Sequence, residues 1–327
     1  MAEAYPWQQA LWQQLARRQQ HAHAYLLHGP AGIGKRALAE RLAALLLCAA
    51  PTAEGACGGC KACLLLRAGT HPDFFDLQPE EPDKPIKVDQ VRELVDFVAQ
   101  TAQLGGRKLV LLEPAEAMNL NAANALLKSL EEPSGDTVLL LVSHQPSRLL
   151  PTIRSRCLQQ ACPLPTPVLA GAWLAAQLPE LEPALHRRLL ALATGSPLRA
   201  LQLHRDGVLD QRALVEEGIR KLLKQQAAPS ELAEAWKHIP LALLLDWFCA
   251  WLLQVLRCQL AGAEGEAEEP MDKVVRWLAG RTPPNAVLAL QDWLLAERQK
   301  VLGKANLNRA LLLEALLVRW ASLPSAG

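Results

Sequence analysis

The chain has 327 residues, half of them hydrophobic, with 34 Lys and Arg against 33 Asp and Glu and a formal net charge of +1. That length fits two or three domains with sizeable cores. The charge balance excludes a strongly basic nucleic-acid binder and a polyanionic tail, while leaving room for a weak or shared contact with DNA.

At the N-terminus, MAEAYPWQQALWQQ has neither a basic start nor a long apolar core. No signal peptide is expected, and the expected compartment is the cytoplasm. Tyr5 to Gln20 reads as an amphipathic helix with Trp7, Leu11, Trp12 and Leu15 on one face, where both tryptophans serve as packing residues. His21 and His23 precede the first strand and receive no ligand role.

A short apolar run, Ala24 to Leu27, leads into His28-Gly29-Pro30-Ala31-Gly32-Ile33-Gly34-Lys35-Arg36, and a helical pattern follows from Ala37 to Leu47. Strand, glycine-rich turn and helix form the setting of a phosphate-binding loop. Gly29, Gly32 and Gly34 let backbone N–H groups approach a phosphate, and the helix N-terminus and Lys35 supply positive charge. The Gly29-x4-Gly34-Lys35 spacing fits the Walker A pattern. The next position should carry a hydroxyl for Mg²⁺, yet it is Arg36, whose guanidinium cannot ligate a cation. The plain alternative is a chance glycine-rich turn.

Of eight cysteines, four fall as Cys48-x8-Cys57-x2-Cys60-x2-Cys63. Two overlapping Cys-x2-Cys elements make a tight knuckle, and Cys48 completes a set of four thiolates for a closed, structural Zn²⁺ site. Redox use of a pair and a bare cluster of buried thiols remain as alternatives, and His71 is a rival ligand. For the other cysteines burial is expected over disulfides.

Phe74 to Leu77 reads as a short strand and Gln78 to Lys87 as a loop. A helix follows from Asp89, its candidate cap, with Val91, Leu94, Val95 and Val98 on one face, until Gly105-Gly106 ends the unit. Lys108 to Leu112 is an apolar run suited to a strand buried on both faces. Glu113 and Pro114 stand at its end, where a nucleotide-hydrolysing sheet places its metal-holding and water-activating carboxylates; proline can do neither. Asn121 to Glu132 is helical, Pro133 to Asp136 a turn, and Thr137 to Val142 the next buried strand, with Ser143 and His144 at its end. Alternation of strand and helix patterns through 24–160 predicts a parallel sheet with covering helices.

Pro163-Leu164-Pro165-Thr166-Pro167 reads as a linker, and no strand pattern follows it. Residues 168–206 form a small helical unit, and 207–324 are helical with an acidic loop at 263–270. Trp236, Trp247, Trp251, Trp277, Trp293 and Trp320 belong to helical core or to helix contacts with other subunits. Leu241 to Leu256 is the most apolar later stretch, but Asp246 and Gln254 within it favour a buried helix over a membrane span.

HGPAGIGK (28–35), the four-cysteine insertion, VDQVREL (88–94), NALLKSLEEP (124–133) and TIRSRC (152–157) together resemble the bacterial clamp-loader subunits of the AAA+ class. The resemblance implies an α/β architecture followed by an all-α one. A RecA-like parallel-sheet domain would span 1–163, with a zinc-binding insertion at about 48–70. A helical lid at 164–206 and a helical collar for oligomerisation at 207–327 would complete it. By position, Lys35 matches the Walker A lysine, Glu113 falls at the Walker B aspartate, and Pro114 falls where hydrolysing members carry the catalytic glutamate. Ser143 and His144 cover the polar sensor position, and Arg156 matches the arginine that enters a neighbouring subunit's ATP site. Leu198 aligns with the second sensor arginine and Arg199 lies one residue on, so neither is assigned.

What the resemblance implies is a non-hydrolysing subunit of the clamp loader of DNA polymerase III, the DNA-directed DNA polymerase (nucleotidyltransferase) holoenzyme. It would sit in a heteropentamer with ATP-hydrolysing subunits and a delta-like subunit, and would act on a sliding clamp and primed DNA, with no membrane. Structural Zn²⁺ and weakly held ATP or ADP are the expected ligands. Two alternatives stand beside this reading. One is an autonomous AAA+ ATPase using Glu113 or Glu116, and the other a helical binding module with a vestigial phosphate loop.

Overall fold

The computed structural model describes residues 5–81, 84–104, 106–133, 135–261, 270–303 and 307–325. Residues 263–269 of the expected acidic loop lie outside them, as do Gly105 and Ser134 of the expected chain reversals. The chain forms two compact units, residues 1–206 and 207–327.

The first unit begins with a 3-10 turn, Pro6–Gln8, and helix α1, Gln9–Ala16. The helix stops short of the expected Gln20 because its buried face ends at Leu15, and polar residues follow with nothing to bury. Strand β1 (Ala24–His28), helix α2 (Lys35–Leu47) and helix α3 (Lys61–Arg67) come next. They are followed by β2 (Phe74–Leu77), α4 (Val88–Ala99), β3 (Lys108–Leu112) and α5 (Leu120–Glu131). Then come β4 (Thr137–Ser143), α6 (Pro151–Arg156) and β5 (Leu158–Ala161).

The five strands form the expected parallel sheet, in the order β2-β3-β4-β1-β5. Strands β3 and β4 are buried along their whole length, as their unbroken apolar runs require. On one face Val110, Leu112, Leu139 and Leu141 pack with Val91 and Leu94 of α4 and Leu126 of α5. On the other face Leu109, Leu111 and Leu140 meet Trp12 and Leu15 of α1 and Leu38 and Leu42 of α2.

Two local expectations change. Lys87 is the N-cap of α4 rather than Asp89, which sits in the first turn and pairs with Arg92 at 2.7 Å. There Asp89 still meets the positive end of the helix dipole. Strand β5 has no counterpart in the apolar pattern: Leu158-Gln159-Gln160-Ala161 is a largely exposed edge strand held by its ladder to β1.

Helices α7 (Pro167–Gln177), α8 (Pro183–Leu192) and α9 (Pro197–Arg205) complete the first unit. Trp173 of α7 stands edge-on to Tyr5 and Trp7, with ring centroids 5.9 and 5.6 Å away, which ties the N-terminal turn to this helical segment.

The second unit is helical throughout its described residues. It comprises α10 (Val208–Leu223), α11 (Pro229–Ala235), α12 (Leu241–Ala261), α13 (Pro270–Ala279), α14 (Pro284–Leu302) and α15 (Arg309–Ser322). Trp236, Trp251 and Trp320 are fully buried around Phe248, whose ring lies 4.9 Å from Trp320. Trp277 is partly exposed beside Arg281. Helix α12 is long and apolar enough to cross a membrane by length and composition alone. It buries Leu244, Leu245, Phe248, Trp251 and Leu252 in this unit's core, the behaviour of a core helix.

Candidate functional site

The phosphate loop joins β1 to α2. Gly32 and Gly34 adopt φ of +77° and +82°, a region closed to most side chains. A Cβ on Gly32 would lie 2.7 Å from Arg199, and one on Gly34 would lie 2.3 Å from the Tyr5 ring. The loop is therefore packed against the chain's own N-terminal turn and against α9. Trp7 Nε1 and Gln8 Nε2 donate to the Ile33 carbonyl at 2.9 and 2.8 Å, and the Leu198 N–H donates to the Gly32 carbonyl at 3.1 Å.

Lys35 is 2% exposed, and its ammonium donates to the carbonyls of Gly29 and Pro30 at 2.7 and 2.5 Å. Burial lowers its pKa to about 8, against the opposing pull of Cys162, Glu113 and Glu116. Lys35 thus serves its own loop's carbonyls.

Arg36 reaches three carboxylates: Asp76 at 2.6 Å, Glu40 at 2.8 Å and Glu113 at 3.4 Å. Burial works against its charge, but these carboxylates outweigh that effect and raise its pKa. Burial pushes the Glu113 carboxyl up, opposed by Arg36 and Lys35. Glu116 is also engaged, one oxygen accepting the N–H groups of His144 and Gln145 at 2.8 and 3.1 Å. Ser143 is fully buried at the end of β4, and its Oγ, like His144 Nδ1 and Glu116 Oε2, has no hydrogen-bond partner among the described residues. Burial and the nearby Lys35 lower the pKa of His144, favouring a neutral ring.

Asp76 is the functional neighbour that sequence reasoning missed. It lies forty positions from Arg36, and only the register of β2 beside β3 brings it next to Glu113. Its place near the C-terminal end of a strand, where α/β sheets gather their polar groups, was the available signal.

Arg156 closes α6 at the surface. Its guanidinium pairs with Glu131 of α5 at 2.6 Å and donates to the Thr152 carbonyl at 3.1 Å, with 35% of the side chain exposed.

Cys48, Cys57, Cys60 and Cys63 converge, with all four sulfur atoms within 4.8 Å of one another. Cys48 and Cys60 are 3.9 Å apart, close to the ~3.8 Å edge of a tetrahedron with Zn–S bonds of about 2.3 Å. The Cys57 and Cys60 N–H groups point at Cys48 and Cys57 sulfurs at 3.3 and 3.4 Å. Backbone N–H groups of Cys63 and Ala49 lower the Cys60 pKa to about 6, whereas burial raises Cys63 to about 12. Four convergent thiols, with N–H groups supporting the thiolate form, are compatible with a closed four-coordinate metal site. His71 is not part of this set. Its Nδ1 accepts the Asp73 N–H at 3.1 Å.

Two family models match the chain: "DNA polymerase III, delta subunit" over residues 6–163, and "DNA polymerase III, delta subunit, C terminal" over 207–322. A DNA polymerase III subunit delta' of Pseudomonas aeruginosa is 68% identical over the whole of both chains. That of Yersinia pestis is 36% identical over 99% of this chain and 97% of the relative. That of Escherichia coli K12 is 33% identical over 96% and 94%. On this full-length similarity, the chain belongs to the delta-prime family of DNA polymerase III subunits.

Proposed function

We propose that this chain works as a clamp-loader subunit that does not turn over ATP itself and lends Arg156 to the ATP site of a neighbouring subunit. One observation carries the reading: both charges of the phosphate loop are spent inside the chain, Lys35 on loop carbonyls and Arg36 on carboxylates. Phosphoryl transfer depends on positioning and on neutralising charge at the phosphates. Here the lysine is committed elsewhere, the metal hydroxyl is replaced by Arg36, and Pro114 stands where a water-activating carboxylate is needed.

The competing reading, an autonomous ATPase, needs Glu113 or Glu116 to be available. Glu113 is paired with Arg36, and Glu116 is bonded to two backbone N–H groups. Arg156, by contrast, is held at the surface by one ion pair, worth ~0–1 kcal/mol and easily exchanged for a phosphate partner, and by a hydrogen bond to the Thr152 carbonyl of its own helix.

The remaining parts of the reading follow. The second unit is the oligomerisation collar, residues 164–206 are the lid, the partners are the ATP-hydrolysing and delta-like subunits, and the assembly acts on a sliding clamp and primed DNA. Zn²⁺ is held by Cys48, Cys57, Cys60 and Cys63 and acts structurally. ATP or ADP binds weakly at most, since Gly29, Gly32 and Gly34 present a loop whose lysine is already engaged. The test is ATP turnover by the purified chain with Mg²⁺. The expected rate is indistinguishable from that of Lys35→Ala; a robust rate abolished by Lys35→Ala would make the chain an ATPase in its own right.

A further inference from the structure

At the end of the sheet opposite the phosphate loop, a cavity of about 740 Å³ lies between the cysteine cluster and the residues that precede β2, β3 and β4. Leu45, Leu46, Leu47 and Leu104 give it an aliphatic wall. Its acidic residues are already satisfied. Asp73 accepts the N–H groups of Gln103 and Leu104 at 2.7 and 2.9 Å, and Asp136 pairs with Arg107 at 3.0 Å. Its other cations have no carboxylate: half-buried Arg18, whose guanidinium lies 5.7 Å over the Tyr25 ring, and exposed Lys61 line the cavity without an acidic partner among the described residues.

His71 supplies the third polar group. It lines the cavity and is 6% exposed. Because Nδ1 accepts the Asp73 N–H, the neutral ring carries its proton on Nε2, and that N–H has no acceptor among the described residues. Burial lowers the ring's pKa, which keeps it neutral. A buried donor without an acceptor is uncommon and marks a site that something else completes.

We propose that this cavity receives an acidic and aliphatic peptide segment of a partner protein, its carboxylate taken by Arg18, Lys61 and the Nε2–H of His71 and its aliphatic side chain set against the leucine wall. Charge complementarity selects the occupant. Two cations without a carboxylate and one donor without an acceptor suit an anion, and the leucines suit an apolar body attached to it. Apart from the His21 and His71 imidazoles, no aromatic ring among the described residues lines the cavity, so nucleic-acid bases have little to stack on, which favours a peptide over single-stranded DNA.

The test is fluorescence anisotropy with the full, zinc-loaded chain and a fluorescein-labelled hexapeptide of alternating aspartate and leucine. The comparators are the matching lysine–leucine peptide and a labelled thymidylate hexamer. The expected result is saturable binding of the acidic peptide alone, weakened at least about tenfold by Lys61→Glu and by Arg18→Glu. His71→Leu, with zinc content and circular dichroism unchanged, should also weaken it. The two charge reversals lie on exposed or half-exposed side chains, so they keep the test decisive if the His71 variant misfolds. Absence of saturation up to about 1 mM peptide, or unchanged affinity in both charge reversals, would overturn the proposal. Equal or tighter binding of the thymidylate hexamer would overturn it in favour of a nucleic-acid contact.

Discussion

Lys35 and Arg36 are neighbours with opposite environments, and each makes a prediction at the residue scale. Lys35 is buried on carbonyls, and its pKa is lowered to about 8 from 10.5. The folded state therefore holds this proton less tightly than the unfolded chain. The penalty for burying the charge is fully present below pH 8 and is relieved as pH rises from about 8 to about 10.5. Urea unfolding should show the stability gap between wild type and Lys35→Met shifting in favour of wild type across that window. A gap independent of pH would mean that the ammonium is not buried. Arg36→Ala leaves Asp76 and Glu113 without their cation, and equilibrium unfolding should record a loss of about 1–2 kcal/mol. No gain of ATP turnover is expected from Arg36→Ser, because Pro114 still occupies the place of the proton acceptor. The missing hydroxyl at position 36 and the proline at 114 were legible from the sequence because each is a local departure from a motif. Asp76 was not, since its approach to Arg36 is a product of sheet register.

Elements were legible where burial imposes a pattern. Strands β1, β3 and β4 are near-continuous apolar runs because helices cover both faces of the sheet. Strand β5 is an edge, needs no apolar face, and left no trace in the pattern. Composition alone favours Asp89 as the cap, whereas the backbone turns extended one residue before Val88, at Lys87. The cysteine cluster was legible because its short spacings, with Cys48 at the end of α2, let four thiols converge. For that element, Cys60→Ser should lower bound zinc from about one equivalent per chain to well below one, measured by metal analysis. Acid should release the metal as protons compete with it for the four thiolates, read as free zinc during an acid titration. Full zinc retention in Cys60→Ser would remove that thiol from the ligand set. Helix α14 makes a separate prediction. Val287, Leu290 and Leu294 are buried in the second unit, while Leu288, Leu295 and Leu302 are 50, 42 and 57% exposed at seven-residue spacing. Such a seam suits a partner helix. Leu288→Glu with Leu295→Glu should leave the isolated chain folded but weaken its co-elution with other loader subunits at least about tenfold, since each leucine withheld from an interface costs ~1.5–3 kcal/mol. Undiminished co-elution would show that this face is not used.

At the scale of the whole molecule, the sheet unit keeps a five-stranded parallel sheet with a glycine-rich loop after its first strand, and the loop's two cations are turned inward onto the chain itself. The N-terminal turn, the phosphate loop and α9 are bonded to one another directly through Trp7, Gln8, Ile33, Gly32 and Leu198. In the proposed assembly this makes the subunit a fixed support, whose contribution to chemistry is a side chain at its edge. An arginine supplied in trans is worth ~10³–10⁵ in rate at the site it completes. The most direct measurement is clamp- and DNA-stimulated ATP turnover, with clamp loading, by a loader reconstituted with wild-type or Arg156→Ala chain at matched assembly. The account predicts that Arg156→Ala assembles normally, loses turnover at the one site it serves, and loads clamps at least about tenfold more slowly. Turnover and loading equal to wild type would contradict it.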